Sequence, residues 1–375
     1  MKLIINASAI YKGGAEQVAV SFINECLNFP ENSYYVFLRE NISSQLNSSD
    51  FGDNFRFYSL SERPGSGWKN YRKAVNLFDD LEKKIRPDCA ISTGGHGYWK
   101  PEVPLVSGFN IPHYIYPESP YMKRLSVKQK MYWKIKKSID GYFYSRADAL
   151  LVQTEDVNRR LKKWIGDANV YTVSNTVHAC FYENEHFPDK LPAREDHEIR
   201  LLTLSSYYPH KNLEIIESVI PELLKRDIRH VRFVLTLPQD VFEKKFSDAF
   251  RTYIYNVGPV PIRECPSLYR ECDAMFLPTL LECFSASYAE AMVMDKPILT
   301  SDLGFAHTVC GDAAIYFDPL DGVDIAQKII QLDTDRDLVK QLIQRGRGKL
   351  SQLGTARSRA ERFLSICREV SDDRK

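Results

Sequence analysis

Two carboxylates and one lysine carry the chemistry that the sequence offers most clearly. Glu282 and Glu290 stand in Leu281-Glu282-Cys283-Phe284-Ser285-Ala286-Ser287-Tyr288-Ala289-Glu290-Ala291-Met292. Before this stretch, Asp273 to Pro278 reads as a short buried strand ended by proline; after it, Lys296 to Thr300 reads as the next strand, with a helix between. Ser285 or Ser287 can cap that helix through its hydroxyl. A strand, a small-residue loop and a helix N-terminus together make an anion site, because free amides and the helix dipole converge there. Glu282 falls in the loop, and Glu290 about one and a half turns into the helix at about 1.5 Å per residue. A diphosphate on the helix tip, with a carboxylate for the group on each side of it, is a nucleotide-sugar geometry. The plainer reading is that acids gather at helix starts for the dipole alone.

Lys211 lies in Ser205-Ser206-Tyr207-Tyr208-Pro209-His210-Lys211-Asn212-Leu213, between an expected strand at Arg200 to Leu204 and a helix from about Asn212 to Arg226. A lysine at such a junction can neutralise a phosphate as a compact point charge.

These segments resemble the Glu-x7-Glu signature of the retaining nucleotide-sugar glycosyltransferases with the GT-B fold (glycosyltransferase family 4, or glycosyl transferases group 1). The flanks Tyr269 to Pro278 and Glu290 to Pro297 resemble it too, and Gly311 to Pro319 follows in the expected place. The resemblance implies an α/β protein of two Rossmann-like parallel-sheet domains facing a central cleft, with a C-terminal helix crossing back to the first domain. It implies a metal-independent hexosyltransferase that retains anomeric configuration and needs no cofactor beyond its donor, a nucleoside-diphosphate sugar. The acceptor would be a saccharide or lipid-linked saccharide in surface-polysaccharide (O-antigen or capsule-like) synthesis.

Carried over residue by residue, Lys211 and Glu282 serve catalysis, and Glu290 meets the donor ribose. Phe284, Ser285 and Ala286 lie at the diphosphate and donor sugar, and Gly258 and Leu268 flank the nucleobase. Gly13 and Gly14 match the family's glycine-rich loop after the first strand, and either Asn110 or His113 stands for the histidine that touches the donor sugar. Three departures matter. Cys283 and Ser285 replace glycines, Asn110 replaces the histidine, and Ser206 stands where the family has an arginine five residues before the lysine. Half of the usual cationic clamp is then missing unless Lys12 or Arg263 supplies it. A non-catalytic subunit that binds nucleotide sugar is the alternative this motivates, and a sugar-nucleotide epimerase a further one.

The elements that would position these residues alternate strand and helix along the chain, the mark of parallel doubly wound sheets. Expected strands are Lys2 to Ile10, Tyr34 to Leu38, Phe55 to Ser59, Pro87 to Thr93, Pro104 to Phe109, Ala149 to Gln153 and Val170 to Val173. Strands Val231 to Leu237 and Tyr253 to Val257 continue the second domain. Ligands bind beyond the carboxyl ends of such strands, where His96 and His113 fall as either contacts or ordinary loop histidines. We expect residues 1–182 as the acceptor-side domain, a polar linker at 183–198, the nucleotide-sugar domain at 199–354 and the returning helix at 355–375. Asp333-Thr334-Asp335 looks like a metal-binding Asp-x-Asp, but its place between two helices marks the aspartates as caps, so no metal site is expected.

The 375 residues suffice for two α/β cores. Lys plus Arg at 50 against Asp plus Glu at 49 gives no global field for nucleic acid. Eight cysteines without a CxxC pair suggest reduced thiols in a cytoplasmic protein rather than a disulfide frame or zinc site. The apolar run after Met1-Lys2 is too short for a signal peptide, and no stretch reaches transmembrane length. Residues 121–147 carry eight cations and one acid, Asp140, with Met131, Ile135 and Ile139 at helical spacing. That pattern fits either a helix resting on an anionic membrane surface or a solvated basic helix over the core.

Overall fold

The computed structural model describes residues 1–10, 13–166 and 168–374. It divides into two compact units. The first comprises Met1–Pro117, Arg124–Thr176 and Gly354–Lys375; the second comprises Glu118–Lys123 and Val177–Leu353.

The first unit is built on seven parallel strands: β1 (Lys2–Asn6), β2 (Ser33–Leu38), β3 (Phe55–Ser59), β4 (Cys89–Ser92), β5 (Leu105–Gly108), β6 (Ala149–Val152) and β7 (Val170–Thr172). Their order is β3-β2-β1-β4-β5-β6-β7. The central strands are apolar on both faces because helices cover both. On one face Leu3, Ile5, Val36 and Ile91 pack with Phe22 and Ile23 of the Gly14–Glu25 helix and with Phe363, Leu364 and Cys367 of the last helix. On the other, Ile4, Phe37 and Ala90 pack with Ala74, Phe78 and Ile85 of the Trp68–Ile85 helix. The Ala356–Asp372 helix starts at a Thr355/Ser358 capping box and is part of this unit's core.

The second unit has six parallel strands: β8 (Ile199–Thr203), β9 (Val231–Leu235), β10 (Ile254–Asn256), β11 (Ala274–Leu277), β12 (Ile298–Ser301) and β13 (Ala314–Phe317), in the order β10-β9-β8-β11-β12-β13. This is the doubly wound order in which the winding reverses between the first strand and the fourth. Here that point lies between β8 and β11, which pair directly through Ala274 with Leu201 and Met275 with Leu202. Helices Ile216–Leu224 and Gly322–Thr334 supply much of the core.

Several elements differ from expectation. The helix expected from Asn212 is broken: Pro209–Lys211 and Leu213–Ile215 are single 3₁₀ turns, and the α-helix begins at Ile216. Asn212 separates the turns with a left-handed backbone, φ 57°. The expected linker at 183–198 packs within the second unit. Glu271 accepts from the Lys190 and Leu191 amides there, and Arg200 pairs with Glu198 at 2.5 Å. The helix expected after Asp335 spans Arg336–Leu353 and lies over the Ala286–Val293 helix. Gly346 eases the approach, since a Cβ there would sit 3.3 Å from Met292 Cγ and press on that side chain.

Candidate active site

The site in the second unit is assembled by the loops that leave β8 and β11. A chain emerging from neighbouring strands at a winding reversal splays to opposite faces and leaves a crevice. Lys211 comes from the first loop and Glu282 from the second; Nζ lies 2.5 Å from Glu282 Oε1, and each side chain is 12% exposed. Thr279 Oγ1 donates at 3.2 Å either to the same carboxylate oxygen or to the His210 carbonyl. The Leu280 amide donates to that carbonyl at 2.7 Å. These bonds hold the two loops in fixed register, so the ion pair is positioned by backbone rather than by chance rotamers.

The loop after β11 runs into the Ala286–Val293 helix with Ser285 at its N-cap. The expectation of a serine cap is corrected: the Ser285 side chain makes no capping bond, and Ser287 Oγ donates to the Leu204 carbonyl at 3.3 Å. The first amides of a helix have no intrahelical acceptor at i−4; here the Tyr288 amide donates to the Ser285 carbonyl at 3.3 Å, and the Ala286 and Ser287 amides before it stay available to an anion. Ala286 is exposed and Phe284 half-buried at this tip. Glu290 sits one turn further in and is 8% exposed. Tyr269 donates its hydroxyl at 3.3 Å either to Glu290 Oε2 or to the Ser287 carbonyl. Burial pushes the Glu290 carboxyl up to about 7, against the opposing pull of the Tyr269 hydrogen bond and the Lys211 charge.

Ser206 is exposed at the end of β8 and its carbonyl accepts from Ser205 Oγ at 2.9 Å. Gly258, in the loop after β10, has φ 76°, a backbone that suits glycine. Leu268 needs correction. It is fully buried on the Cys265–Glu271 helix, so its side chain packs the core and presents no surface to a ligand. Lys12, one suggested replacement for the missing arginine, lies outside the described residues. The other, Arg263, is exposed in the Ile262–Glu264 turn, and its charge acts on His178.

The remaining candidates belong to the first unit. Gly13 precedes the Gly14–Glu25 helix with φ 84°, whereas a Cβ on Gly14 would meet nothing within 4 Å. Asn110 is exposed just past β5, and His113 stacks on Trp133 with ring centroids 3.8 Å apart. His96 is a core histidine, 4% exposed. Its Nδ1 accepts from the Tyr98 amide, and Nε2 faces Asp140 Oδ1 at 3.3 Å. Asp140 also binds Lys136 Nζ and the Tyr114 hydroxyl, both at 2.6 Å.

The sequence reading missed Thr279, Tyr269 as the partner of Glu290, and the Asp140 cluster. Of these only Lys136 and Asp140 left a signal, an i,i+4 pair. Of the two aspartates expected as caps, Asp335 accepts from the Leu338 amide at 2.9 Å, whereas Asp333 lies inside the Gly322–Thr334 helix and pairs with His230 instead of capping.

Residues 198–335 match the family glycosyl transferases group 1. That segment holds β8 to β13 and every second-unit candidate named above. Among curated proteins the chain is similar to the O-antigen chain mannosyltransferase RfbU of Salmonella typhimurium, 25% identical over 159 residues. The match spans 41% of this chain and 44% of that protein. Among solved structures it is similar to sucrose-phosphate synthase from Thermosynechococcus elongatus, with TM-score 0.73, 14% identity and 98% of each chain covered. Anabaena HepE in complex with UDP-glucose gives TM-score 0.71 at 14% identity, covering 98% of this chain and all of that one (100%). The two parallel-sheet domains are thus those of GT-B glycosyltransferase structures.

Proposed function

We propose that the protein is a retaining glycosyltransferase that moves a sugar from a nucleoside-diphosphate sugar to a saccharide or lipid-linked saccharide of a surface polysaccharide. The observation that carries this reading is the meeting of Lys211 and Glu282 where the winding reverses, beside an uncapped helix tip that leads to buried Glu290. The family match over residues 198–335 and the likeness to an O-antigen mannosyltransferase support it.

The barrier in such a transfer is cleavage of the bond from sugar to diphosphate, so charge building on the leaving group must be stabilised. Lys211 and the amides near Ser285 and Ala286 do this without a metal ion. The donor phosphate replaces Glu282 as the partner of Lys211, which frees the carboxylate for the sugar hydroxyls. Glu290 accepts from the ribose hydroxyls. Holding the acceptor hydroxyl against the anomeric carbon supplies much of the remaining rate.

Ser206 favours a second reading, a non-catalytic subunit that binds nucleotide sugar, because a serine stands where the second cation of the diphosphate clamp is expected. A melting screen with UDP, GDP, ADP and their sugars, followed by sugar-release and transfer assays, separates the two. A selective rise in melting temperature with transfer supports the enzyme; a rise without transfer or hydrolysis supports the subunit; no rise with any nucleotide overturns both.

A further inference from the structure

Among the described residues twelve large hydrophobic side chains are exposed, and six of them lie on one helix, Val127–Tyr144. At about 100° per residue, Val127, Met131, Tyr142, Ile135 and Ile139 fall within an arc of about 120°. These five are 81, 53, 55, 54 and 53% exposed respectively. An amphipathic helix ordinarily turns such an arc inward. Here the inward face is instead occupied by Asp140, Tyr144 and Trp133, with Asp140 fastened to His96, Tyr114 and Lys136. The helix therefore presents its apolar stripe outward by construction.

A second helix joins the same face. Trp68, 70% exposed at the start of the Trp68–Ile85 helix, stacks on Tyr71 at 5.5 Å. Tyr71 meets Phe143 at 6.4 Å, and Phe143 meets Tyr142 at 5.4 Å. The Arg146 guanidinium lies 3.4 Å from the Tyr142 ring centroid. On the same two helices Lys69, Arg72, Lys73, Lys128, Lys130 and Lys134 are exposed, as is Arg124 three residues before the second. The one acid of the Val127–Tyr144 helix, Asp140, is 2% exposed, so every exposed charge on this helix is positive.

We propose that the outer face of the Val127–Tyr144 helix and the start of the Trp68–Ile85 helix form one surface that docks on an anionic lipid bilayer. Lysines flanking an apolar arc stretch their stems along it while their ammonium groups reach lipid phosphates. Protein interfaces, by contrast, are depleted in lysine. Tryptophan and tyrosine prefer the headgroup level, where Trp68 and Tyr142 would sit. No helix among the described residues is long and apolar enough to cross a membrane, so this contact lies in the plane of the interface.

Vesicle sedimentation tests this, using phosphatidylcholine alone and phosphatidylcholine mixed with phosphatidylglycerol. The intact chain is expected to bind the mixed vesicles at least about tenfold more tightly than the zwitterionic ones. The triple variant Met131→Glu, Ile135→Glu, Ile139→Glu is expected to lose binding with its circular dichroism unchanged. The double variant Lys128→Ala, Lys134→Ala should weaken binding and its salt dependence, and covers the case in which the triple variant misfolds. Emission from Trp68 should shift to the blue on mixed vesicles, and Trp68→Phe should abolish that shift. Lys211→Ala should bind vesicles as the intact chain does, which separates this proposal from the donor-site reading. Failure to bind mixed vesicles, or undiminished binding by both surface variants, overturns it. So does a dimer that the triple variant dissociates in a protein that ignores lipid, which would assign the face to a second copy of the chain.

Discussion

Lys211 Nζ and Glu282 Oε1 are 2.5 Å apart although their residues are 71 positions apart in the chain, and each side chain is 12% exposed. An ion pair this sheltered is already desolvated, so a phosphate that takes over the lysine exchanges one anion for another instead of stripping water from a free cation. Lys211→Ala should therefore lose about 100-fold or more in turnover, and the donor should no longer raise the melting temperature. The apo variant should lose about 1–3 kcal/mol, since Glu282 is left without its charged partner. Steady-state kinetics and denaturant titration measure the two effects separately.

Glu290 gives a pH signature. Its folded carboxyl titrates at about 7 against an ordinary 4.5, chiefly through burial. The folded state then keeps a proton that the unfolded state gives up, so stability falls as pH rises from about 4.5 to about 7 and is level beyond. The fall is about 3 kcal/mol by linkage, and Glu290→Gln should flatten it. Denaturant titrations across that window test this. Donor hydroxyls that bind the carboxylate favour its charged form, so nucleotide affinity should rise over the same window in the parent protein.

The Asp140 cluster has the opposite sign. Burial would raise this carboxyl, but hydrogen bonds from His96, Lys136 and Tyr114 outweigh it and hold it at about 2 against an ordinary 3.8. Its contribution is present above the ordinary value and is lost as pH falls from about 3.8 towards 2. Asp140→Ala leaves buried donors without an acceptor and should cost about 3–5 kcal/mol, with the loss centred on the first unit. Hydrogen exchange of the Val127–Tyr144 amides reads the location as well as the size.

Phe363 tests the membership of the last helix. Its ring meets Phe22 edge-on at 5.3 Å, and it is 5% exposed. Phe363→Ala should cost about 3–5 kcal/mol. Because the helix belongs to the first unit, amides of β1 and the Gly14–Glu25 helix should lose protection while those of β8 and β11 keep theirs.

Alternating apolar runs and turn residues were enough to announce two parallel-sheet domains, because strands buried on both faces are apolar without a break. The strand-loop-helix around Glu282 and Glu290 was legible for the same reason: it is local, and its caps and proline punctuate it. Asp335 declared itself a cap by falling between two helices. What spacing could not carry was everything decided by contact between distant segments. The Asn212 break shortened an expected helix because a left-handed residue anchored its side chain to the Pro319 carbonyl, 107 positions away. Ser285 and Ser287 looked like caps, yet the Leu204 carbonyl claimed the Ser287 hydroxyl. Leu268 resembled a contact residue and proved to be core. The sequence by itself determined which strands and helices form, since hydrophobic period and turn chemistry are properties of neighbours along the chain. Only the tertiary structure decided that Lys211 meets Glu282, that Glu290 is buried against Tyr269, and that the Val127–Tyr144 helix turns its apolar face outward. Those outcomes depend on strand order and on which buried polar group finds a partner.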